Sequence, residues 1–500
     1  MKPLQSQRAA QSLPVYSLLV WAGLLALCLA PAVAAQSLAV PTMERAVELA
    51  LEGNPALQAE QERRVETLGG VVEARAEAFP QIILRTGWNA SRNPSLLNSA
   101  DFEDLLDQFP GGSFEPQRQE LYSWGVDVTQ PIYTWGKVSA ALDLARTATE
   151  VTAAQVSTER LDLALRAAEV YYRLLSRRSA LATVEIQERL RQQVLAAVEA
   201  RYELGDATRL DLLRARSGVA ELGPLVARIR GDVKVAESEL RAVLGVGSEV
   251  ELRIGAGEVE TRRTGAGEVI PGGESAAPPP SPEIELEAEP EAPGLGALLA
   301  LARRQRPELE DLQLQDDALG HQAAVVRAEG KPQIELNGSY GRTARLAQNL
   351  DDALYRDWSL ALGLRWELFD GGRRKGEVAQ LESRQRQLRW RQEDLENRIR
   401  VEIEQALAAY QADRERLLAA RAAAMAASEA SRVAEEGYRQ GVTLQTEWLE
   451  AQRDATEAEL ERVQATYDVR IRWAQLQRAV GLVPSRDWAP SGSEHGEGES

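Results

Sequence analysis

From Thr42 onward, apolar positions recur at helical spacing through MERAVELALEGNPALQAEQERRVETLGGVVEARAEAF, with a break at Gly53, Asn54 and Pro55 and an end at Pro80. The period then shortens to two. Ile82, Leu84 and Trp88 fall on one face and Arg85 and Asn89 on the other, which predicts a strand. A polar loop with Asn93, Pro94, Gly111 and Gly112 leads to LYSWGVDVTQPIY, where Tyr122, Trp124, Val126, Val128 and Ile132 alternate with Ser123, Gly125, Asp127 and Thr129. A strand of about ten residues crosses a bilayer at a tilt. After Gly136, the stretch Lys137 to Glu203 contains neither proline nor glycine and is rich in Ala, Leu, Arg and Glu. As one helix it is roughly 100 Å long, more than a compact domain needs. Leu161, Ala164, Leu165, Ala168, Tyr171, Leu175, Ile186, Leu190 and Val194 keep coiled-coil-like spacing, with alanines that let helices approach closely. A second helix is expected from about Arg209 to Leu244, disturbed near Gly223 and Pro224.

The turn between these helices, RYELGDATRLDLLRA (Arg201 to Ala215), recurs without a gap as GYRQGVTLQTEWLEA (Gly437 to Ala451), 236 residues later. Tyr202 matches Tyr438, Gly205 matches Gly441 and Asp211 matches Glu447. Upstream, VRAEGKPQIEL (Val326 to Leu336) matches ARAEAFPQIIL (Ala74 to Leu84) at seven of eleven residues and an offset of 252. The offset drops from 252 to 236 across the strand hairpin, so the first loop is 16 residues longer, an insertion that loops tolerate. The chain is thus a duplication of helix, strand, loop, strand, very long helix, glycine turn, helix. Repeat 1 is read over 42–246, with a β-hairpin at about 81–133 and a helical hairpin at 137–244; repeat 2 over 295–483, with corresponding hairpins at about 333–369 and 373–480. Between them, 247–294 reads as an acidic Pro- and Gly-rich linker, mostly free, and 484–500 as a disordered tail.

Residues 1–35 add an address. Lys2 and Arg8, an apolar run from about Leu18 to Leu29 and then PAVAAQ read as a secretory signal peptide cut near Ala34 or Ala35. Its removal takes the only cysteine, Cys28, and moves the formal charge from -18 to -20. Such an acidic chain does not suit nucleic acid, and no later stretch approaches the ~18 apolar residues of a membrane-spanning helix. The strands tell a different story. Their ends carry Trp88, Tyr122, Trp124, Tyr133, Trp135, Tyr340, Trp358, Trp366 and Phe369, as a membrane barrel's aromatic girdles do. Four strands cannot close a barrel, so the pattern requires several chains, and the helices that follow the strands extend the same wall as a tube.

The two YxxG tips, the acidic-then-LxxA continuation, the ELFDGGR turn into the second long helix and the duplicated RAExxPQI together resemble the TolC family of outer-membrane efflux proteins over nearly the whole mature chain. The resemblance implies a mostly α fold with membrane β: a homotrimer sharing a twelve-stranded barrel, four strands per chain, set in outer-membrane lipid and continued by a periplasmic α-helical tunnel. It further implies docking of the tips onto a periplasmic adaptor joined to an inner-membrane transporter, in an efflux or type I secretion system. Contact with the adaptor is carried over to Leu204, Gly205, Asp206 and Ala207, and to Gln440, Gly441, Val442 and Thr443. Glu447 and Glu450, three apart on one helix face, then line the periplasmic gate, with Asp211 and Tyr438 in the same region, and in a trimer the two glutamates give a ring of six carboxylates that attracts cations. The best-known member has an arginine at the position of Thr443 that helps lock its closed state, so that particular lock is in question here.

No catalytic, cofactor or metal site is expected. Asp370, Gly371 and Gly372 lack the GKS or GKT of a phosphate loop and read as a strand-to-helix turn, while His321 and His495, the only histidines, lie far apart. A soluble periplasmic coiled-coil scaffold is the other reading, and it has to bury four outward apolar strand faces. A periplasmic hydrolase lacks any nucleophile and base constellation.

Overall fold

The computed structural model describes residues 37–92, 118–254 and 290–486. The signal peptide with Cys28, the loop containing Asn93, Pro94, Gly111 and Gly112, the central linker and the end of the tail with His495 lie outside them. Six strands and eight α-helices run in the order β1 (Ser37–Val40), α1 (Met43–Gly53), α2 (Pro55–Ala76), β2 (Gln81–Ser91), β3 (Gln119–Tyr133), α3 (Lys137–Glu203), α4 (Arg209–Leu244), β4 (Glu251–Ile254), α5 (Leu295–Gln305), α6 (Pro307–Glu329), β5 (Gln333–Ala344), β6 (Arg356–Arg365), α7 (Arg373–Arg439) and α8 (Gln445–Ala479) among the described residues. Strands β2, β3, β5 and β6 form one antiparallel sheet in chain order. Because register fixes the faces, Ile82 lies opposite Val128, Leu84 opposite Val126 and Leu336 opposite Leu362. That face is bare: Leu362 is 70% exposed and Trp358 69%.

The other face is polar. Arg85 pairs with Asp127, Arg365 with Glu335 at 3.2 Å, and Thr129 Oγ1 donates to Asn337 at 3.2 Å. Where strands β3 and β5 meet, Gly125 faces Gly341, and a Cβ on Gly341 would overlap the Trp124 carbonyl. Each sheet half feeds a 67-residue helix, α3 or α7. Asp370 shapes the second of these turns, accepting from the N–H groups of Gly372 (2.9 Å) and Arg374 (3.1 Å), and its salt bridge to the Arg374 guanidinium holds its carboxyl well below the usual carboxylate range.

Packing follows the duplication. α3 pairs with α4, α7 with α8, and α3 also packs on α8, so the order across the wall is α4, α3, α8, α7. One core cluster joins α1, α3 and α4 through Ala164, Tyr171, Leu174 and Leu240; another joins α5, α7 and α8 through Leu298, Ile403, Leu417 and Leu476. The repeats dock their short helices on the ends of the long hairpins in the same way with different chemistry. Asn54 Nδ2 donates to the Val243 carbonyl at 2.8 Å, and its counterpart Arg306 donates from Nε to the Ala479 carbonyl at 2.9 Å.

Three boundaries differ from the sequence expectation. The linker is not free from residue 247, because β4 pairs in parallel with β1 and buries Leu252. Helix α4 continues through Gly223 and Pro224; a single proline removes one hydrogen bond of the ladder, and packing of Leu222 before it and Val226 and Ile229 after it into the cluster around Val184 holds the helix on both sides. The start of the tail is held in place, since Ser485 N donates to Gln477 Oε1 at 2.9 Å and Arg486 N to Glu44 Oε1 at 3.1 Å.

Candidate functional site at the helix tips

Both hairpin tips are closed by a glycine in the left-handed region, Gly205 at φ +85° and Gly441 at φ +76°. Each tip makes the paired bonds of a Schellman motif: Asp206 N to Arg201 O (2.8 Å) with Gly205 N to Tyr202 O (3.1 Å), and Val442 N to Gly437 O (2.9 Å) with Gly441 N to Tyr438 O (3.1 Å). An added Cβ meets open space at either glycine, so backbone conformation alone imposes the requirement. Gly205→Ala or Gly441→Ala is therefore expected to destabilise its tip by about 1–2 kcal/mol, seen as faster hydrogen exchange at Asp206 or Val442 with the rest of the hairpin unchanged.

Leu204 and Val442 project into solvent at the tips. Asp206 and Gln440 are exposed beside them, Thr443 is half-buried, and Ala207 turns inward against the tip core. Thr443 N also donates to Gly437 O at 3.2 Å, and a side chain at 437 would overlap Thr443 Oγ1. The first repeat has Arg201 at the place of Gly437. Its guanidinium reaches across to the Tyr438 hydroxyl at 3.4 Å, a cationic contact that comes from the other repeat rather than from position 443.

The carboxylates divide by task. Asp211 closes a capping box on α4, accepting from Thr208 N (3.0 Å) and Thr208 Oγ1 (2.7 Å) while Asp211 N donates to Thr208 Oγ1 (3.2 Å). The Thr208 hydroxyl and N–H hold this carboxyl below its ordinary pKa, so the cap weakens only as pH falls through that lowered value. Glu447 makes the equivalent reach to Leu444 N at 3.4 Å, with no return bond because leucine has no side-chain acceptor. Glu450 is exposed and has no hydrogen bond or ion pair among the described residues. Asp211 and Glu447 are thus helix caps by geometry, and Glu450 is the acid left unoccupied.

Tyr438 stacks on Trp448, ring centroids 4.8 Å apart and planes 17° apart. Trp448 enters a cluster with Val194, Val198, Leu212 and Ala215, which joins the two hairpins at their tips. On the same face of α8, Gln445 and Gln452 are buried; both amide atoms of Gln445, Gln452 Oε1 and Trp448 Nε1 have no hydrogen-bond partner among the described residues. Nearer the sheet the seam between α3 and α8 is well bonded. Arg478 pairs with Asp162 at 2.6 Å, Gln475 donates to Glu169 at 2.7 Å, and Ser179 meets the Tyr467 hydroxyl at 3.1 Å. Sequence reading missed Arg201, Gln445, Trp448 and Gln452. The aligned tips held the signal, in the unlike pairs Arg201 with Gly437, Arg209 with Gln445, Leu212 with Trp448 and Arg216 with Gln452.

A sheet bare on its apolar face and polar on the other, continued by two helices some 100 Å long, α3 and α7, suits a wall segment of a membrane conduit. The chain belongs to the outer membrane efflux protein family, whose model matches residues 46–246 and 298–482, and it is an outer-membrane protein. It is 29% identical to outer membrane protein OprJ of Pseudomonas aeruginosa over 177 residues, covering 35% of this chain and 37% of that one. It is 23% identical to the alkaline protease secretion protein AprF of the same organism over 455 residues, covering 88% and 84%. The fold matches the Campylobacter jejuni CmeC outer membrane channel at a TM-score of 0.68 and 14% identity, over 88% of this chain and 85% of that one.

Proposed function

We propose that three copies of the chain close a twelve-stranded outer-membrane barrel and a periplasmic helical tunnel, forming the exit duct of an efflux or type I secretion system. The observation that carries this is the sheet. Its outer strands β2 and β6 each leave one edge unpaired, and a four-stranded sheet with one bare apolar face is stable in lipid only when its edges are closed by further copies. The lumen face, with its glycines and Arg–carboxylate pairs, suits water and polar cargo. Cysteines placed singly in Ile83 to Gly87 and in Ser359 to Gly363 test closure. Oxidised pairs are expected to give chains cross-linked in threes on denaturing gels; monomers throughout would contradict the barrel.

The tips take the adaptor, which binds Leu204, Gly205, Asp206 and Ala207 and Gln440, Gly441, Val442 and Thr443, and which links the duct to an inner-membrane transporter. Exposed Leu204, Val442 and Leu444 give a protein partner apolar anchors. Passage is driven by that transporter, and the duct performs no chemistry. Glu447, Glu450, Asp211 and Tyr438 ring the closed end, where Glu450 of three copies supplies the uncapped charge. Opening breaks the Arg201–Tyr438 contact at the tips and swings the tip half of α7 and α8 outward from α3 and α4, about the polar cross-link at Ser179 and Tyr467. The distance from Tyr467 to Gly441 is about 40 Å along α8, so a small rotation moves the tip far.

A further inference from the structure

We propose that the outward face of the sheet, at the strand ends remote from the long helices, binds the phosphate groups of an outer-leaflet lipid through Arg342 and Arg356. This rests on the barrel reading above. The register sets Arg342 directly opposite Arg356 on one side and opposite Trp124 on the other. All three share the face that carries Trp358, Leu360, Leu362 and Leu364. Like charges directly opposite repel, and arginine on a lipid-facing strand is costly except near the interface. An anion between the two guanidinium groups removes both objections.

Arg342 is held for such a role. One guanidinium nitrogen donates to the Leu350 carbonyl at 3.0 Å, the group lies over the Trp124 ring at 6.0 Å, and its Nε is buried without a hydrogen-bond partner among the described residues. Arg356 is exposed and has no ion pair among the described residues. Of the nearby carboxylates, Asp351, beside Leu350, is exposed and pairs with neither arginine among the described residues, and the others are engaged or turned away. Glu120, on the same face, takes Arg118 at 3.0 Å and the Tyr122 hydroxyl at 3.3 Å; Asp352 accepts from Leu354 N at 3.0 Å; Asp357 falls on the opposite face by strand alternation. In a chain of net charge -18, this pair of cations stands at the level of an aromatic girdle, where headgroups lie. Guanidinium forks match phosphate oxygens bidentately.

The test uses the mature chain purified in detergent, with bis-phosphorylated lipid A, the same lipid dephosphorylated, and phosphatidylethanolamine as probes, binding being read by native mass spectrometry. The wild type is expected to prefer the phosphorylated lipid by about tenfold, and Arg342→Gln with Arg356→Gln to abolish that preference. Arg342→Lys with Arg356→Lys, which keeps the charges, is expected to retain part of it. Equal binding of both lipid A forms, or an undiminished preference in the glutamine variant, overturns the proposal. The same preparations are tested for bilayer conductance. A conducting wild type without lipid preference rejects the lipid site and leaves the barrel standing, whereas a chain that never enters the bilayer rejects both.

Discussion

Arg306→Met is expected to lower the stability of the folded chain by about 2–4 kcal/mol, the largest effect among substitutions away from the tips. The Arg306 side chain is 3% exposed and pairs with Glu308 at 3.0 Å and Glu402 at 2.5 Å, besides its bond to the Ala479 carbonyl. Removing the guanidinium strands two carboxylates. The loss stays below the ceiling for a fully buried pair because Glu402 is 44% exposed and Arg478 remains, at 3.0 Å from Glu308 and 3.6 Å from Glu402. Thermal unfolding in detergent measures it, and adding Glu308→Gln and Glu402→Gln is expected to recover part of the loss. Arg306→Met without effect would mean that the α5–α6 junction does not fasten the second hairpin.

Gln445→Leu with Gln452→Leu is expected to act in the opposite direction, by stabilising the contact between the two hairpin tips. Gln445 places both amide atoms and Gln452 its Oε1 in the seam without partners among the described residues, and a buried polar group left unpaired costs about 1–3 kcal/mol. A leucine of similar size removes that cost. If opening separates this seam, the double variant closes the gate more tightly, and about 1.4 kcal/mol already lowers the open fraction tenfold. Export in cells expressing the matching adaptor and transporter checks this, with surface level measured alongside. Unchanged export at equal surface level would place the moving seam elsewhere.

Much of this architecture was legible in the sequence because the duplication repeats every signal. The change of period from 3.6 to 2 located the four-stranded sheet, and the lone glycines at 205 and 441 located the tips. The strands β1 and β4 were not legible. Each has four residues, too few for a period, and they pair across more than 200 positions of chain. The carboxylates show the limit more sharply. Asp211 and Glu447 occupy matching positions, and their spacing from the tip glycine fits a gate, but the same spacing is that of the third residue of a helix, where an acid caps the N-terminus. The hydrogen bonds of the structure add the capping role, and conductance tests the gate. Trp448 and Gln452 were hidden because an apolar and polar mixture on a long helix reads alike whether it faces solvent or a second hairpin.

Single-channel current across a planar bilayer tests the central claim most directly, with the mature protein added in detergent and trivalent cations applied from the side facing the tips. A trimeric duct with an acidic gate predicts discrete conductance that the cations block and that Glu447→Gln with Glu450→Gln frees from block, Glu450 contributing most. Conductance without block would keep the duct and discard the gate. A protein that stays soluble without detergent and never conducts would contradict the account.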